Sequence, residues 1–485
     1  MRRIYIVITA VLQICSSCVQ FRITGNVDSL PPIFPDYADV TVPCNIAPLN
    51  FRCDNSSLPS ALILAAGERR CTLRGPEFDI PLDQWHALTA EGTISATVCI
   101  KENGDWKAYR PFTIHVSRDP IDPYVAYRLI DPGYETWNHM GIYQRCLEDF
   151  TETPVMTNDN TDKNCMNCHS FCNRDPQRMM FHMRAWNGGT YTWNDGKIEK
   201  LNTKTPQTIS ALVYPYWHPS GNYIAFSVND IAQFFHSTNP NRIEVYDSAS
   251  DVVVYDVHNK VVSTTPLLSD TTRLETFPSF SPDGNTLYFC SSPRVEIPHE
   301  YKGIRYSICS IPFYPEKFSF GDKVDTVYSA VISGKDATFP RVSPDGRFML
   351  FSETAYGCFA IWHKDADLRL IDLEDGSVNN LEEINGPDAD SYHSWSGNSR
   401  WIIWASRRID GLYSRLYIAH IDKDGIPSKP FLMPQKTTSH DKELMKSYNV
   451  PEFITGPVDF SREDMARVSM EDPGIQVTYS HGSTE

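Results

Sequence analysis

The tightest constraint on the fold is a short frame that recurs through the C-terminal half. Tyr214-Pro215-Tyr216-Trp217-His218-Pro219-Ser220-Gly221 aligns with Phe277-Pro278-Ser279-Phe280-Ser281-Pro282-Asp283-Gly284 and with Phe339-Pro340-Arg341-Val342-Ser343-Pro344-Asp345-Gly346. A worn copy follows at Tyr392-His393-Ser394-Trp395-Ser396-Gly397, and the turn glycines stand 63, 62 and 51 residues apart. Proline presets φ in such a turn, Asp caps it, and glycine takes the positive φ. An apolar strand follows each copy: Tyr223-Ile224-Ala225-Phe226, Thr286-Leu287-Tyr288-Phe289, Phe348-Met349-Leu350-Phe351 and Trp401-Ile402-Ile403-Trp404. These runs are apolar on both faces, as strands sandwiched between neighbouring blades must be. The pattern predicts a mainly β chain with a β-propeller over residues 185–435. Gly188-Gly189-Thr190-Tyr191-Thr192-Trp193, with the turn Asn194-Asp195-Gly196, reads as the outer hairpin of a further blade, giving five blades, with six as the alternative. Residues 436–485 show no period and read as a C-terminal strap and frayed tail.

Upstream the signals change. Residues 18–38 read as an extended tether, and residues 39–117 as a small β-sandwich-like domain. Thr93 to Ile100 alternates, Asn103-Gly104 supplies a hairpin turn, and Trp106 to Val116 returns as the partner strand. Cys44, Cys53, Cys71 and Cys99 could form two disulfides, in any of three connectivities. Residues 118–184 read as a connector, with one short amphipathic helix inferred from Met140, Tyr143, Leu147 and Phe150.

That connector carries the clearest chemical motif, Cys165-Met166-Asn167-Cys168-His169, a C-x-x-C-H run of the type to which haem is covalently attached. With 13 Cys and 14 His in 485 residues, roughly 0.01 matches arise by chance. Cys165 and Cys168 would form thioethers to one haem c, with His169 as proximal iron ligand. A zinc clip of Cys165, Cys168 and Cys172 with His169 or His182, or a plain disulfide, competes with this reading. The following stretch offers His182 as distal ligand, with Met179, Met180 or Met183 as alternatives; methionine would raise the reduction potential and histidine lower it. His218, His236 and His393 come from blade loops and could also reach. Arg174, Arg178 and Arg184 are candidate partners for the propionates.

At the N-terminus, Arg2-Arg3 precede an apolar Ile4–Ile14 and Cys15-Ser16-Ser17-Cys18. An apolar stretch this short cannot span a bilayer, which needs about 20 residues. Residues 1–17 therefore read as a signal peptide. The small residues before Cys18 resemble a bacterial lipobox, which implies lipidation of Cys18; ordinary secretion is the alternative. The formal charge of −16 argues against nucleic acid as a partner and against electrostatic docking on anionic lipid. Membrane attachment is expected through the lipid alone.

The repeated frame resembles the TolB-like, WD-like β-propeller repeat. The whole arrangement of lipobox-like start, β-domain, C-x-x-C-H-S-F and propeller resembles exported bacterial TolB-like lipoproteins that are haem-binding or related to cytochrome c. The resemblance implies an envelope location, at the periplasmic face of the outer membrane. The function expected from these readings is a monohaem protein for electron transfer or redox sensing. Its propeller would dock an envelope or redox partner. The alternative is a non-catalytic scaffold, or a propeller that binds glycan or protein. Binding rather than turnover is expected, so the chain reads as no enzyme. A hydrolase built on Glu275, Asp336, Asp388 and Asp390 is the third reading, and no acid–base pair at defined spacing supports it.

Overall fold

The computed structural model describes residues 21–54, 58–131 and 138–481. The expected signal segment and Cys18 lie outside the described residues. No helix among the described residues is long and apolar enough to cross a membrane.

Six β-sheets form a closed propeller. Each blade is a meander that starts with an inner strand. In chain order the inner strands of blades 2 to 6 are Met166–Phe171, Val213–Trp217, Arg273–Phe280, Asp336–Val342 and Asp390–Trp395. Blade 1 is built differently. Its three outer strands, Tyr124–Ile130, Gly141–Cys146 and Glu152–Thr157, precede blade 2, but its inner strand is Ser447–Ile454 from the far end of the chain. This strand lies between the inner strands of blades 6 and 2 and closes the ring. The C-terminal residues continue as a helix, Arg462–Glu471, and add parallel edge strands to blade 2 (Ile475–Gln476) and blade 3 (Thr478–His481).

The inner strands share one irregularity. Each pairs with its neighbour through a register shift. At that point one residue takes positive φ: Cys168 (54°), Tyr214 (51°), Phe277 (49°), Phe339 (56°), Tyr392 (52°) and Val450 (50°). Left-handed backbone is costly for a non-glycine residue, so its recurrence at six equivalent places marks a built bulge that re-aims a side chain. In blades 4 to 6 the frame's serine ties the turn that ends the inner strand, although in blade 6 Ser399 and not Gly397 takes the positive φ. Ser343 Oγ accepts from Phe348 N at 3.0 Å, and Ser396 Oγ accepts from Trp401 N at 3.0 Å.

The N-terminal domain pairs a seven-stranded sheet with a three-stranded one. Asn103 and Gly104, both at positive φ, turn the hairpin between Ile94–Glu102 and Asp105–Tyr109 as expected. The helix Leu82–Glu91 buries Trp85, whose Nε1 donates to Ile46 O at 2.8 Å. The domain core is continuous with blades 1 and 6: Tyr37 and Phe51 share a cluster with Tyr127, Phe453, Trp401 and Phe431.

Several expectations are corrected. The blades number six, because a strand from beyond residue 435 completes the ring. The connector 118–184 is propeller: it holds the outer strands of blade 1 and the first two strands of blade 2. The expected helix around Tyr143 is the strand Gly141–Cys146, whose residues are nearly all buried and so show no strand alternation in sequence. Part of the tether is strand, since Ile23–Val27 pairs with Asp105–Tyr109. Cys44, Cys71 and Cys99 carry free thiols, so the expected two-disulfide framework is not formed.

Candidate functional site

The six inner strands surround one axial cavity of about 500 Å³. At the end where the strands begin it is lined by Arg128, Asn167, Arg184 and Asn449, with Ile231 and Gln233 from the long second hairpin of blade 3. At the opposite end it is lined by Arg174, Trp217, Arg341, Trp395 and Glu452. The bulge residues form the middle layer. Tyr214 meets Phe277 with ring centroids 4.8 Å apart, Phe277 meets Phe339 at 4.1 Å, and Phe339 meets Tyr392 at 5.0 Å. Cys168 and Val450 occupy the two remaining positions of this ring.

The C-x-x-C-H motif is therefore a variant copy of the repeat. Cys168-His169-Ser170-Phe171-Cys172 stands in register with Phe277-Pro278-Ser279-Phe280-Ser281, cysteine replacing the aromatic and histidine the proline. His393 makes the same replacement in blade 6. The turn lacks the Ser-Pro-Asp-Gly signature, which hid the copy in the sequence; Asn173 (49°) and Arg174 (64°) adopt the positive φ instead.

The electrostatics of the cavity oppose those of the chain. Net charge is −16, yet the cavity lining carries four arginines and one carboxylate. Arg128 donates to Met166 O and to Asn449 Oδ1 at 3.2 and 2.8 Å, and its Nε is buried without a partner. The Nε of Arg174 is likewise orphaned. Arg341 lies over the Tyr216 ring at 5.0 Å and donates to Pro340 O at 2.8 Å. None of these arginines, nor Arg184 at the mouth, is ion-paired among the described residues. Asn167 Oδ1 and Ser394 Oγ are also buried and unpartnered, and the buried His169 and His393 rings face the Val450 and Phe339 backbone. An unmet buried polar group costs about 1–3 kcal/mol, so this concentration makes the cavity the candidate site.

Burial holds His169 and His393 neutral, each pushed down to about 3. Glu452 moves the other way. Burial pushes it up to about 8, against the opposing pull of the Phe171 N–H, which it accepts at 3.0 Å, and of Arg341 and Arg174. The cavity thus holds a carboxyl group that is protonated at neutral pH, the kind of perturbed group found where acid–base work is done.

The residues singled out in sequence divide. Cys168, His169, Arg174, Arg184 and His393 line the cavity; Cys165 lies just before the strand, with a free thiol whose burial raises its pKa. Arg178 turns outward to Asp195 at 2.7 Å. None of the four expected distal ligands reaches the cavity. His182 bonds Thr190 Oγ1 at 2.9 Å and packs toward Phe226 of the next blade. Met179 and Met183 fill the core between blades 1 and 2, and Met180 that between blades 2 and 3. Their strand is the second of its blade, so its side chains face neighbouring blades. His218 is consumed by the turn, with Nε2 on Gly284 O and Nδ1 on Ser220 Oγ. Among the described residues no group of three or more His, Cys, Asp or Glu is placed to hold a metal ion, so the zinc clip lacks a donor set. The four carboxylates of the hydrolase reading lie outside the cavity lining: Asp390 is tied to Arg408 and Trp404, and Asp336 to Tyr306 N. Arg128, Arg341, Asn449 and Glu452 were missed. Arg128 carried no motif, Arg341 sits at a variable position of the third copy of the frame, and Asn449 and Glu452 lie on the strand read as a strap. Its Val450-Pro451 pair, matching the aromatic-proline step, was the available signal.

No family model matches the chain, and no curated protein matches it. Solved structures do resemble it. An oligogalacturonate lyase in complex with manganese is 9% identical over 63% of this chain and 72% of its own, with a TM-score of 0.36. An oligogalacturonate lyase from Vibrio parahaemolyticus is 10% identical over 62% of this chain and 92% of its own, with a TM-score of 0.33. Dipeptidyl peptidase 4 of Porphyromonas gingivalis is 11% identical over 64% and 51%, with a TM-score of 0.30. At such identity the likeness concerns the fold alone. It corrects one expectation: the chain was read as no enzyme, and the propellers it resembles belong to enzymes.

Proposed function

We propose that this chain is an exported propeller enzyme whose axial cavity takes a small organic anion as substrate. The observation that carries the reading is the set of four unpaired arginines around one cavity of an otherwise acidic chain. Guanidinium groups bind carboxylate and other oxyanions through paired, charge-assisted hydrogen bonds, and in a water-poor cavity those bonds are strong. Glu452 would supply or take up a proton at the Arg341 end.

The test is calorimetric titration with glucuronate and with glucose, which share a sugar ring and differ in the carboxylate. Glucuronate should bind and glucose should not, and Arg341→Gln should weaken the glucuronate complex by about tenfold or more. Equal binding of the two sugars, or an Arg341→Gln variant as good as wild type, would discard the anion reading.

A second reading keeps haem c. It is favoured by the free thiols of Cys165 and Cys168 close in sequence to the buried, neutral His169, with arginines available for propionates in the same cavity. These residues fit covalent attachment and a proximal ligand; His182 and the three methionines do not reach, whereas His393 lines the same cavity. When bound, haem would supply redox chemistry at an open coordination position. A pyridine haemochrome spectrum with a haem-stained denaturing gel decides this. Haem retained on the denatured wild-type chain and lost from Cys165→Ser would carry the reading. A folded, haem-free protein made with a c-type maturation system would end it.

A further inference from the structure

Resting on the anion reading above, we infer that the substrate carries two anionic groups, one at each end of an elongated, flat body. The four arginines are not one cluster. Arg128 stands opposite Asn449 where the inner strands begin, and the backbone N–H of Arg184 donates to Cys165 O at the same end. Arg341 occupies the position in its strand that Glu452 occupies in blade 1, and Arg174 lies three residues past Phe171, the end of the blade 2 inner strand. The levels of Asn449 and Glu452 are bridged by the bulge at Val450, and their partners Arg128 and Ala126 stand two steps apart on the neighbouring strand, about 7 Å at roughly 3.3 Å per residue.

The wall between the two pairs is largely aromatic, with His169 and His393 beside the rings. Tyr214, Phe339 and Tyr392 form the middle of the cavity wall, all aimed inward by the same bulge. A single compact anion would satisfy one arginine pair and leave the other desolvated and uncompensated, which is costly for buried guanidinium groups. Two anionic groups joined by a ring-bearing body satisfy both pairs and place apolar faces against aromatic ones. The orphaned Nε atoms of Arg128 and Arg174, one at each end, point to the same arrangement.

The probes are biphenyl-4,4′-dicarboxylate, biphenyl-4-carboxylate and the neutral biphenyl-4-methanol, titrated calorimetrically into the full mature chain. The diacid should bind at least about tenfold more tightly than the monoacid. Arg128→Gln and Arg174→Gln should each erase that advantage, and Arg128→Lys and Arg174→Lys, which keep the charge, should restore part of it. Thermal melts establish that each variant is folded. If monoacid and diacid bind alike, and both more tightly than the alcohol, the two-headed substrate is overturned while the anion site stands. If all three bind alike, or none binds, the anion site itself is overturned and this inference falls with it.

Discussion

At the scale of single residues, Glu452 makes the sharpest prediction. It is partly buried against Phe171 N–H, Tyr216, Arg341 and Arg174, and its pKa is raised from 4.5 to about 8. Between those values the folded chain keeps a proton that the unfolded chain has released. Stability contributed by this group is fully present below pH 4.5 and is lost as pH rises through about 8, at up to about 1.4 kcal/mol per pH unit. Glu452→Gln, which cannot ionise, should flatten this part of the stability profile. Glu275, also raised to about 8, and Asp247, raised to about 7, titrate in the same window. The readout is therefore the difference between wild type and variant in urea melts at pH 5 and pH 8.5; an unchanged difference would remove Glu452 from the account. The same residue should govern binding. Protonated Glu452 tolerates an anion beside Arg341, whereas ionised Glu452 repels it, so wild-type affinity for glucuronate should fall above pH 8 and that of Glu452→Gln should not. A motif search had no route to this carboxylate, because its character comes from burial by three other blades. Cys168 and His169 were legible as chemistry and illegible as architecture, since their own blade had lost the turn that would have betrayed the register.

At the scale of one element, the turn after each inner strand can be taken apart. Gly284 and Gly346 both sit at positive φ, 77° and 80°, and both follow Asp in the same frame. Their surroundings differ. A Cβ at Gly346 would meet nothing within 4 Å, whereas at Gly284 it would stand 2.2 Å from His218 Nε2, which already bonds Gly284 O at 3.0 Å. Gly346→Ala should therefore cost only the left-handed backbone penalty, roughly 1–2 kcal/mol. Gly284→Ala should cost roughly 1–3 kcal/mol beyond that for the displaced imidazole. Denaturant melts of both variants check this, and His218→Ala should relieve most of the excess at Gly284 alone. Equal costs at the two glycines would show that the imidazole moves freely. These turns were legible in sequence because Pro, Asp and Gly each encode a local dihedral. The strand Gly141–Cys146 was not. Covered on both faces, it loses the period of two that marks a half-exposed strand, and its apolar spacing then mimics a helix.

At the scale of the molecule, the ring is closed by residues more than 300 positions apart in sequence: Tyr124–Ile130 takes Ser447–Ile454 as its inner neighbour. This is why the blade count was ambiguous in sequence: local periodicity reveals turns and strands, but a blade assembled from both ends of the chain has no contiguous signature. The closing strand also brings Asn449, Val450, Pro451 and Glu452 to the cavity, so the fold cannot shut without completing the site. Ending the chain after Lys446 would expose the long edge of Tyr124–Ile130, open the interface between blades 6 and 1, and uncover Tyr127 and Phe453's cluster beneath the N-terminal domain. Such a chain should fail to give a cooperative melt and should aggregate. Ending it after Asp472 removes only parallel edge strands on the rims of blades 2 and 3. That shorter loss should leave a cooperative transition, with a melting temperature lowered by several degrees, the shift expected of about 1–2 kcal/mol in a chain of this kind. Supplying residues 447–485 in trans as a peptide should then restore solubility and cooperativity to the first truncation. If the first truncation melts cooperatively without it, the closing strand is an accessory and the cavity has another wall.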